Sequence, residues 1–133
     1  MESGHDPLLR WLRKPATAAA ILRAVQTLKE ARIAVGVIAL LGAGGHQFGA
    51  AHVEGTARLL NELPLGRGDY VYFSPLEVFP CGSYALHETA HGIKRLTETE
   101  MRGQEQAIRA ALRFDAAQGK PYLARYEVDT FVY

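Results

Sequence analysis

Apolar residues in the first part of the chain follow two helical patterns and then one unbroken run. Asp6-Pro7 predicts a helix to about Lys14, with Asp6 as the N-cap and proline where its missing N–H costs nothing. A second helix is predicted from Thr17, because apolar residues recur every three or four positions. Residues 33–41 are continuously apolar and rich in Val and Ile, which predicts a parallel strand covered on both faces.

The remaining pattern alternates again between helix and strand. A glycine-rich turn at 42–45 leads to a predicted helix at 51–63, and residues 69–74 predict a second strand. Thr97-Glu98-Thr99-Glu100 is a capping box that predicts the start of a long helix. The alternating tail at 122–133 predicts a strand or an extended segment lying on a surface.

The order of these elements predicts an α/β fold. Helix, strand, helix, strand makes parallel right-handed crossovers the default connection. Two strands this apolar cannot cover each other on both faces, so we expect further strands beside them. Those strands would come from other chains or from a longer natural polypeptide.

Composition and charge exclude several classes of protein. The chain has 133 residues, 48% hydrophobic and 22% charged, which is typical of one globular domain. A net charge of +1 gives no electrostatic case for binding nucleic acid or an anionic membrane. The longest apolar run is far too short to span a bilayer. The single cysteine, Cys81, excludes an internal disulfide, and no signal or transit peptide is visible, so we expect a cytoplasmic protein.

Eight segments that cover nearly the whole chain form a recognisable series: Glu2-Ser-Gly-His-Asp6, Leu12-Arg-Lys14, Leu28-Lys-Glu-Ala-Arg-Ile33, Gly36-Val-Ile-Ala-Leu-Leu-Gly42, Thr56-Ala-Arg-Leu-Leu-Asn-Glu62, Asp69-Tyr-Val-Tyr-Phe-Ser-Pro-Leu76, Leu96-Thr-Glu-Thr-Glu-Met101 and Tyr126-Glu-Val-Asp-Thr-Phe-Val-Tyr133. In this order and spacing they resemble the C-terminal half of the radical S-adenosylmethionine (radical SAM) superfamily. The resemblance is to the branch of iron–sulfur oxidoreductases and proteins like oxygen-independent coproporphyrinogen oxidase.

The resemblance implies a particular α/β architecture. Members of the family have a (β/α)6 partial TIM barrel, which binds the cofactor at the carboxyl ends of its strands. Residues 1–96 would be the C-terminal part of that barrel and would supply its last two strands. Residues 97–133 would form a C-terminal helix and an extended tail packed on it, in a single domain overall.

The resemblance also implies cofactors. The family uses S-adenosylmethionine and a [4Fe-4S] cluster, three of whose irons are bound by three cysteines in a CxxxCxxC loop, while the fourth is left for S-adenosylmethionine. Here Cys81 stands alone, far downstream of where that loop would fall. We therefore expect no cluster on this chain alone. The chain would be part of an enzyme that cleaves S-adenosylmethionine reductively to methionine and a 5′-deoxyadenosyl radical, with a missing N-terminal half as its partner.

Five residues can be carried over to half of a cofactor pocket. Glu2 resembles the position that binds the ribose hydroxyls, and Lys14 resembles a basic position that pairs with the methionyl carboxylate. Ile38 and Leu40 match the strand that holds adenine, and Leu76 would cover the other adenine edge. Each residue also has a simpler explanation, namely a solvated glutamate, a lysine favoured by the helix dipole, and core side chains.

A competing motif lies in the segment 75–96, which is otherwise irregular or mixed. His87-Glu88-Thr89-Ala90-His91 is a literal HExxH. On a helix its histidines share one face and can both bind zinc, while the glutamate activates a zinc-bound water. This alternative predicts a zinc-dependent hydrolase. No third ligand is marked, and a short motif of this kind recurs by chance.

A third hypothesis is not enzymatic. The chain would then act as a structural or interaction piece. Exposed apolar strand edges would favour self-association or pairing with a missing half.

Overall fold

A computed structural model of the protein describes residues 1–80, 82–115 and 117–126. These residues form five helices and three strands, namely α1 (Asp6–Trp11), α2 (Ala18–Glu30), β1 (Gly36–Leu41), α3 (Gly45–Glu62), β2 (Tyr70–Pro75), α4 (Ser83–Ala90), α5 (Glu98–Ala111) and β3 (Tyr122–Arg125). Cys81 and the part of the predicted tail beyond residue 126 lie outside the described residues. No helix in the described part of the chain is long and apolar enough to cross a bilayer.

The three strands form one parallel sheet in the order β1-β2-β3. Gly36 pairs with Tyr70 at the amino ends of β1 and β2, and Tyr70 pairs with Tyr122 of β3. The α/β class and the parallel pairing that the element order predicted are confirmed. The described part of the tail is the strand β3, so the sheet has one parallel strand more than the two that the barrel expectation assigned to this chain.

Helix α1 is shorter than the sequence predicted. It ends at Trp11 because Arg13 adopts a left-handed φ of 57°. The N–H of Arg13 then donates to the Arg10 carbonyl, and the N–H of Lys14 donates to the Leu9 carbonyl. This is the Schellman arrangement that closes helices, and it places Lys14 outside the helix.

The residue that caps α1 also differs from the prediction. His5 is the N-cap residue of α1, and Asp6 belongs to the helix itself. The Asp6 carboxylate instead accepts the N–H of Ala18 at 2.7 Å, at the start of α2. Asp6 therefore joins the first two helices. Helix α2 begins after Thr17, as predicted.

Strand β1 begins at Gly36 rather than at residue 33. Arg32 has a left-handed φ of 59°, and the N–H of Ile33 donates to the Leu28 carbonyl. The first residues of the apolar run therefore close α2 by a second Schellman arrangement. Helix α3 begins six residues before its predicted start at 51 because Gly44 and Gly45 take the left-handed conformations that enter it.

The sheet is covered on one face only by the described residues. Side chains from β1 and β2, including Val37 and Phe73, form the core with α2, α3 and α5. The opposite face, here the bare face, carries Ile38 and Leu40 of β1 and tyrosines of β2 and β3. Ile38 is 42% exposed and Tyr122 is 58% exposed. The described chain therefore covers β1 on one face, and the further strands that the sequence led us to expect on or beside the other face stay a prediction.

Tyrosines dominate the bare face near the amino ends of the strands. Tyr70 stacks on Tyr72 with ring centroids 5.6 Å apart and on Tyr122 at 5.1 Å. The ring of Tyr72 lies over Gly36, where a Cβ would meet it at 3.4 Å.

The predicted capping box is also confirmed, because Thr97 and Glu100 satisfy each other's backbone N–H at the start of α5.

A buried carboxylate fixes the amino ends of β1 and β2. Asp69 is fully buried and accepts the N–H of Val35 at 2.9 Å and that of Gly66 at 2.8 Å. The ammonium of Lys29 lies 2.7 Å from Oδ2 of Asp69. Burial opposes ionisation, but Lys29 and the two N–H donors outweigh it and hold the pKa of Asp69 below its usual range.

Candidate functional site

Four of the five predicted pocket residues converge in one pocket. Its volume is about 410 Å³, within the range of small-molecule sites. Its walls are Met1, Glu2, Leu12, Lys14, Ile38, Leu40 and Tyr84. They come from the chain start, the loop after α1, the bare face of β1 and helix α4. The pocket thus joins segments that the sequence separates by more than eighty residues.

Glu2 and Lys14 form an ion pair in this pocket. The Lys14 ammonium lies 2.7 Å from Oε1 of Glu2, and the two side chains are 43% and 32% exposed, respectively. Burial raises the pKa of Glu2, but Lys14 and the chain's amino terminus act more strongly and hold it below its usual range. The pocket therefore contains a carboxylate next to an ammonium. The carboxylate can accept hydrogen bonds from ligand hydroxyls, and the ammonium can pair with a ligand carboxylate.

The backbone around Glu2 is fixed on two sides. The carbonyl of Glu2 accepts the N–H of Leu40 at 2.9 Å, so the chain start lies along the outer edge of β1. The next residue, Ser3, is fully buried, and its Oγ lies 2.8 Å from Nδ1 of His52. Gly4 donates to the hydroxyl of Thr56 at 3.1 Å. A Cβ at Gly4 would lie 2.1 Å from the Gly55 carbonyl oxygen, so glycine is required there.

The apolar residues of the site lie on the bare face of β1. Ile38 and Leu40 have the same orientation because side chains alternate along a strand. Leu76 is placed elsewhere. It lines a second pocket of about 400 Å³ with Met101 and Arg102. The structure therefore does not bring Leu76 together with the other four predicted residues.

Three pocket residues were not predicted from the sequence, namely Met1, Leu12 and Tyr84, and Tyr84 is the one with a polar side chain. Its hydroxyl accepts the N–H of Gly44 at 3.1 Å, across a separation of 40 residues. Its ring meets Trp11 edge to face, with centroids 5.5 Å apart. The segment 75–96 has no periodic pattern, and no local signal predicts a contact with the glycine turn.

The glycine turn after β1 is occupied by protein groups. Gly42 donates to Oε1 of Gln104 at 2.8 Å, Gly44 donates to Tyr84, and His46 donates to the Lys94 carbonyl at 2.9 Å. A phosphate-binding loop needs such N–H groups for its ligand. The turn therefore serves strand-to-helix geometry, in agreement with its lack of a phosphate-loop motif.

The HExxH residues have part of the arrangement that the motif predicts. The rings of His87 and His91 lie side by side, with centroids 4.2 Å apart, but both histidines and Glu88 also have other partners. Helix α4 ends at Ala90, and His91 is its C-cap. Nε2 of His87 lies 3.0 Å from the Trp11 carbonyl oxygen, and Nδ1 of His91 lies 2.8 Å from the His87 carbonyl oxygen. Glu88 is only 3% exposed and pairs with Arg95. Among the described residues, no three His, Cys, Asp or Glu side chains lie close enough to hold a metal together.

The sequence matches no protein-family model and, at a significant level, no curated protein.

Proposed function

We propose that this chain is part of a radical SAM enzyme and contributes half of its S-adenosylmethionine pocket. The observation that carries the proposal is the convergence of Glu2, Lys14, Ile38 and Leu40 on one pocket. The resemblance assigned these four residues to ribose, methionyl carboxylate and adenine.

The sheet supports the finer part of the proposal, a partial TIM barrel. Its strands are parallel, and α2, α3 and α5 lie together on one face. In a barrel the opposite face is the interior, and ligands bind at the carboxyl ends of the strands. Leu40 lies near the carboxyl end of β1, and the stacked tyrosines lie at the amino ends. The pocket is therefore at the end that binds ligands in barrels.

The described residues fit S-adenosylmethionine but not the cluster. A carboxylate, an ammonium and two apolar side chains suit ribose, carboxylate and adenine, respectively. One cysteine does not suit a [4Fe-4S] cluster, which takes several thiolates. The cofactor would supply a 5′-deoxyadenosyl radical in the intact enzyme. The part of this chain would be to bind and orient the adenosyl and methionyl groups.

The test is a comparison of two ligands on the chain as it stands. Saturation-transfer NMR should detect adenosine and S-adenosylmethionine with dissociation constants of about 1 mM, because half a pocket gives weak affinity. Glu2→Gln should weaken both ligands, since both carry ribose hydroxyls. Lys14→Met should weaken S-adenosylmethionine about tenfold and leave adenosine unchanged, since only the former has the carboxylate.

The control is Lys120→Met, an exposed lysine at a separate pocket lined by Arg109 and Pro121. It removes the same charge and should change neither affinity. The proposal is wrong if cytidine binds as well as adenosine does. It is also wrong if Lys14→Met weakens both ligands equally, because the lysine would then not recognise the methionyl carboxylate.

The bare face supports a second candidate function, that of an interaction piece. Ile38, Tyr70 and Tyr122 are exposed on one sheet surface, and β1 is a sheet edge within the described residues. The chain start takes part of the β1 edge at Leu40. A partner that adds strands beside the rest of that edge would extend the sheet and cover the exposed side chains. The partner would be the missing half of the barrel or a second copy of the chain. A cytoplasmic location, expected from the single cysteine, belongs to the same proposal.

A further inference from the structure

The side chain of Tyr84 is held in the pocket from two directions. Its ring packs edge to face on Trp11, at an interplanar angle of 85°. Its oxygen accepts the N–H of Gly44. Gly44 must be glycine, because it has a left-handed φ of 71° and a Cβ there would lie 2.6 Å from Cδ1 of Leu8. The Tyr84 ring and oxygen therefore each have a protein partner that orients the side chain in the pocket.

The hydrogen bond from Gly44 also decides what Tyr84 can offer a ligand. A phenol has one proton to donate and lone pairs to accept with. Gly44 uses the oxygen as an acceptor, so the proton remains available to donate. Burial, and less strongly the Glu88 carboxylate, outweigh the Gly44 N–H and raise the pKa of Tyr84 above its usual value. The hydroxyl is therefore protonated at neutral pH.

Tyr84 is the one neutral hydrogen-bond donor among the side chains of the described pocket walls. Among its described walls, the remaining side chains are apolar or belong to the ion pair of Glu2 and Lys14. Ile38 and Leu40 give a flat ring an apolar surface but no hydrogen bond. A planar base bound against Ile38 and Leu40 needs a hydrogen-bond donor to fix its orientation in the plane of the ring. Tyr84 lines the same pocket and can be that donor.

We propose that Tyr84 is the positioning residue for the adenine ring, and that its hydroxyl donates a hydrogen bond to one ring nitrogen of the base. This inference rests on the proposed function. It adds the group that orients the base, whereas Glu2 and Lys14 bind ribose and carboxylate.

The experiment compares adenosine with 1-deaza-, 3-deaza- and 7-deazaadenosine, each of which lacks one acceptor nitrogen. Affinities are measured by ligand-observed NMR on the unsubstituted chain and on Tyr84→Phe. Tyr84→Phe should weaken adenosine about three- to tenfold, the usual effect of one hydrogen bond. One deaza analogue should bind the unsubstituted chain about three- to tenfold more weakly than adenosine does. The affinity for that analogue should be the same in Tyr84→Phe as in the unsubstituted chain. Tyr70→Phe, on the bare face, is the matched control and should change nothing.

The outcomes separate this inference from the function beneath it. If adenosine binds and Tyr84→Phe leaves its affinity unchanged, or weakens all four ligands equally, Tyr84 does not position the base. If adenosine does not bind the unsubstituted chain, the proposed function fails and the inference fails with it. Should Tyr84→Phe not fold, the ranking of the analogues on the unsubstituted chain decides, because equal affinity for all four overturns the inference.

Discussion

Oγ of Ser3 lies 2.8 Å from Nδ1 of His52, and this contact joins parts of the chain that are 49 residues apart. His52 is fully buried on α3. Thr56 approaches the same ring nitrogen at 3.2 Å. The start of the chain, which carries Glu2, is therefore held against α3 by a small buried polar cluster.

The first prediction concerns the pH dependence of stability. Burial lowers the pKa of His52 from 6.5 to about 4. Between these values the unfolded chain binds a proton that the folded chain does not, so the free energy of unfolding falls as the pH falls through this range. The loss from pH 7.5 to pH 4.5 attributable to His52 is about 2–3 kcal/mol. Urea unfolding at both pH values measures it.

Two variants isolate this effect. His52→Asn keeps a polar atom near the position of Nδ1 but cannot titrate, so it should lose that part of the pH dependence. His91→Asn, at an exposed histidine, should retain it. Equal pH dependence in His52→Asn and the unsubstituted chain would mean that folding does not lower the pKa of His52.

The second prediction concerns the two helix ends that the sequence misplaced. Arg13 and Arg32 both have left-handed φ values, which are unfavourable for residues other than glycine. Arg32→Gly should therefore be more stable than Arg32→Ala by about 1 kcal/mol, because alanine keeps the unfavourable conformation. At Arg13 likewise, the glycine variant should have a higher melting temperature than the alanine variant. No difference in either pair would contradict the Schellman ends.

The lengths of the elements show which part of the fold was predictable. Periodicity gave the parallel α/β class and the helices that begin after Thr17 and Thr97, because cap residues and apolar spacing act locally. Arginine at a left-handed helix end gives no such signal, since glycine is the usual residue there. The predicted end of α1 and the predicted start of β1 were therefore each wrong by about three residues.

The site divides in the same way. Glu2, Lys14, Ile38 and Leu40 were found through the resemblance, and the fold brings them together. Tyr84 was missed because its place depends on a hydrogen bond to Gly44 and a ring contact with Trp11, both distant in sequence. Leu76 follows β2 and faces α5, which the order of elements alone did not specify.

The third prediction concerns the bare face. Ile38 is exposed there beside the tyrosines, so the chain should self-associate as its concentration rises. Ile38→Glu places a charge on this face and should shift the population toward the monomer in sedimentation velocity. Ile33→Glu is the matched control, because Ile33 is 48% exposed but precedes β1. Equal self-association in the two variants would show that another surface is responsible.

The fourth prediction concerns zinc and the HExxH sequence. Zinc binding through Nε2 of His87 requires the ring to leave the Trp11 carbonyl, and water activation requires Glu88 to leave Arg95. The Glu88 side chain is 4% exposed but that of Arg95 is 51% exposed, so breaking this pair costs about 1 kcal/mol. No third His, Cys, Asp or Glu among the described residues is close enough to offset that cost by completing a metal site. We therefore expect far less than one zinc per chain after purification without chelator, measured by plasma emission spectroscopy. His91→Ala should change the zinc content no more than His46→Ala does, since both remove an exposed histidine. Stoichiometric zinc that disappears only in His91→Ala would instead favour the hydrolase over the radical SAM proposal.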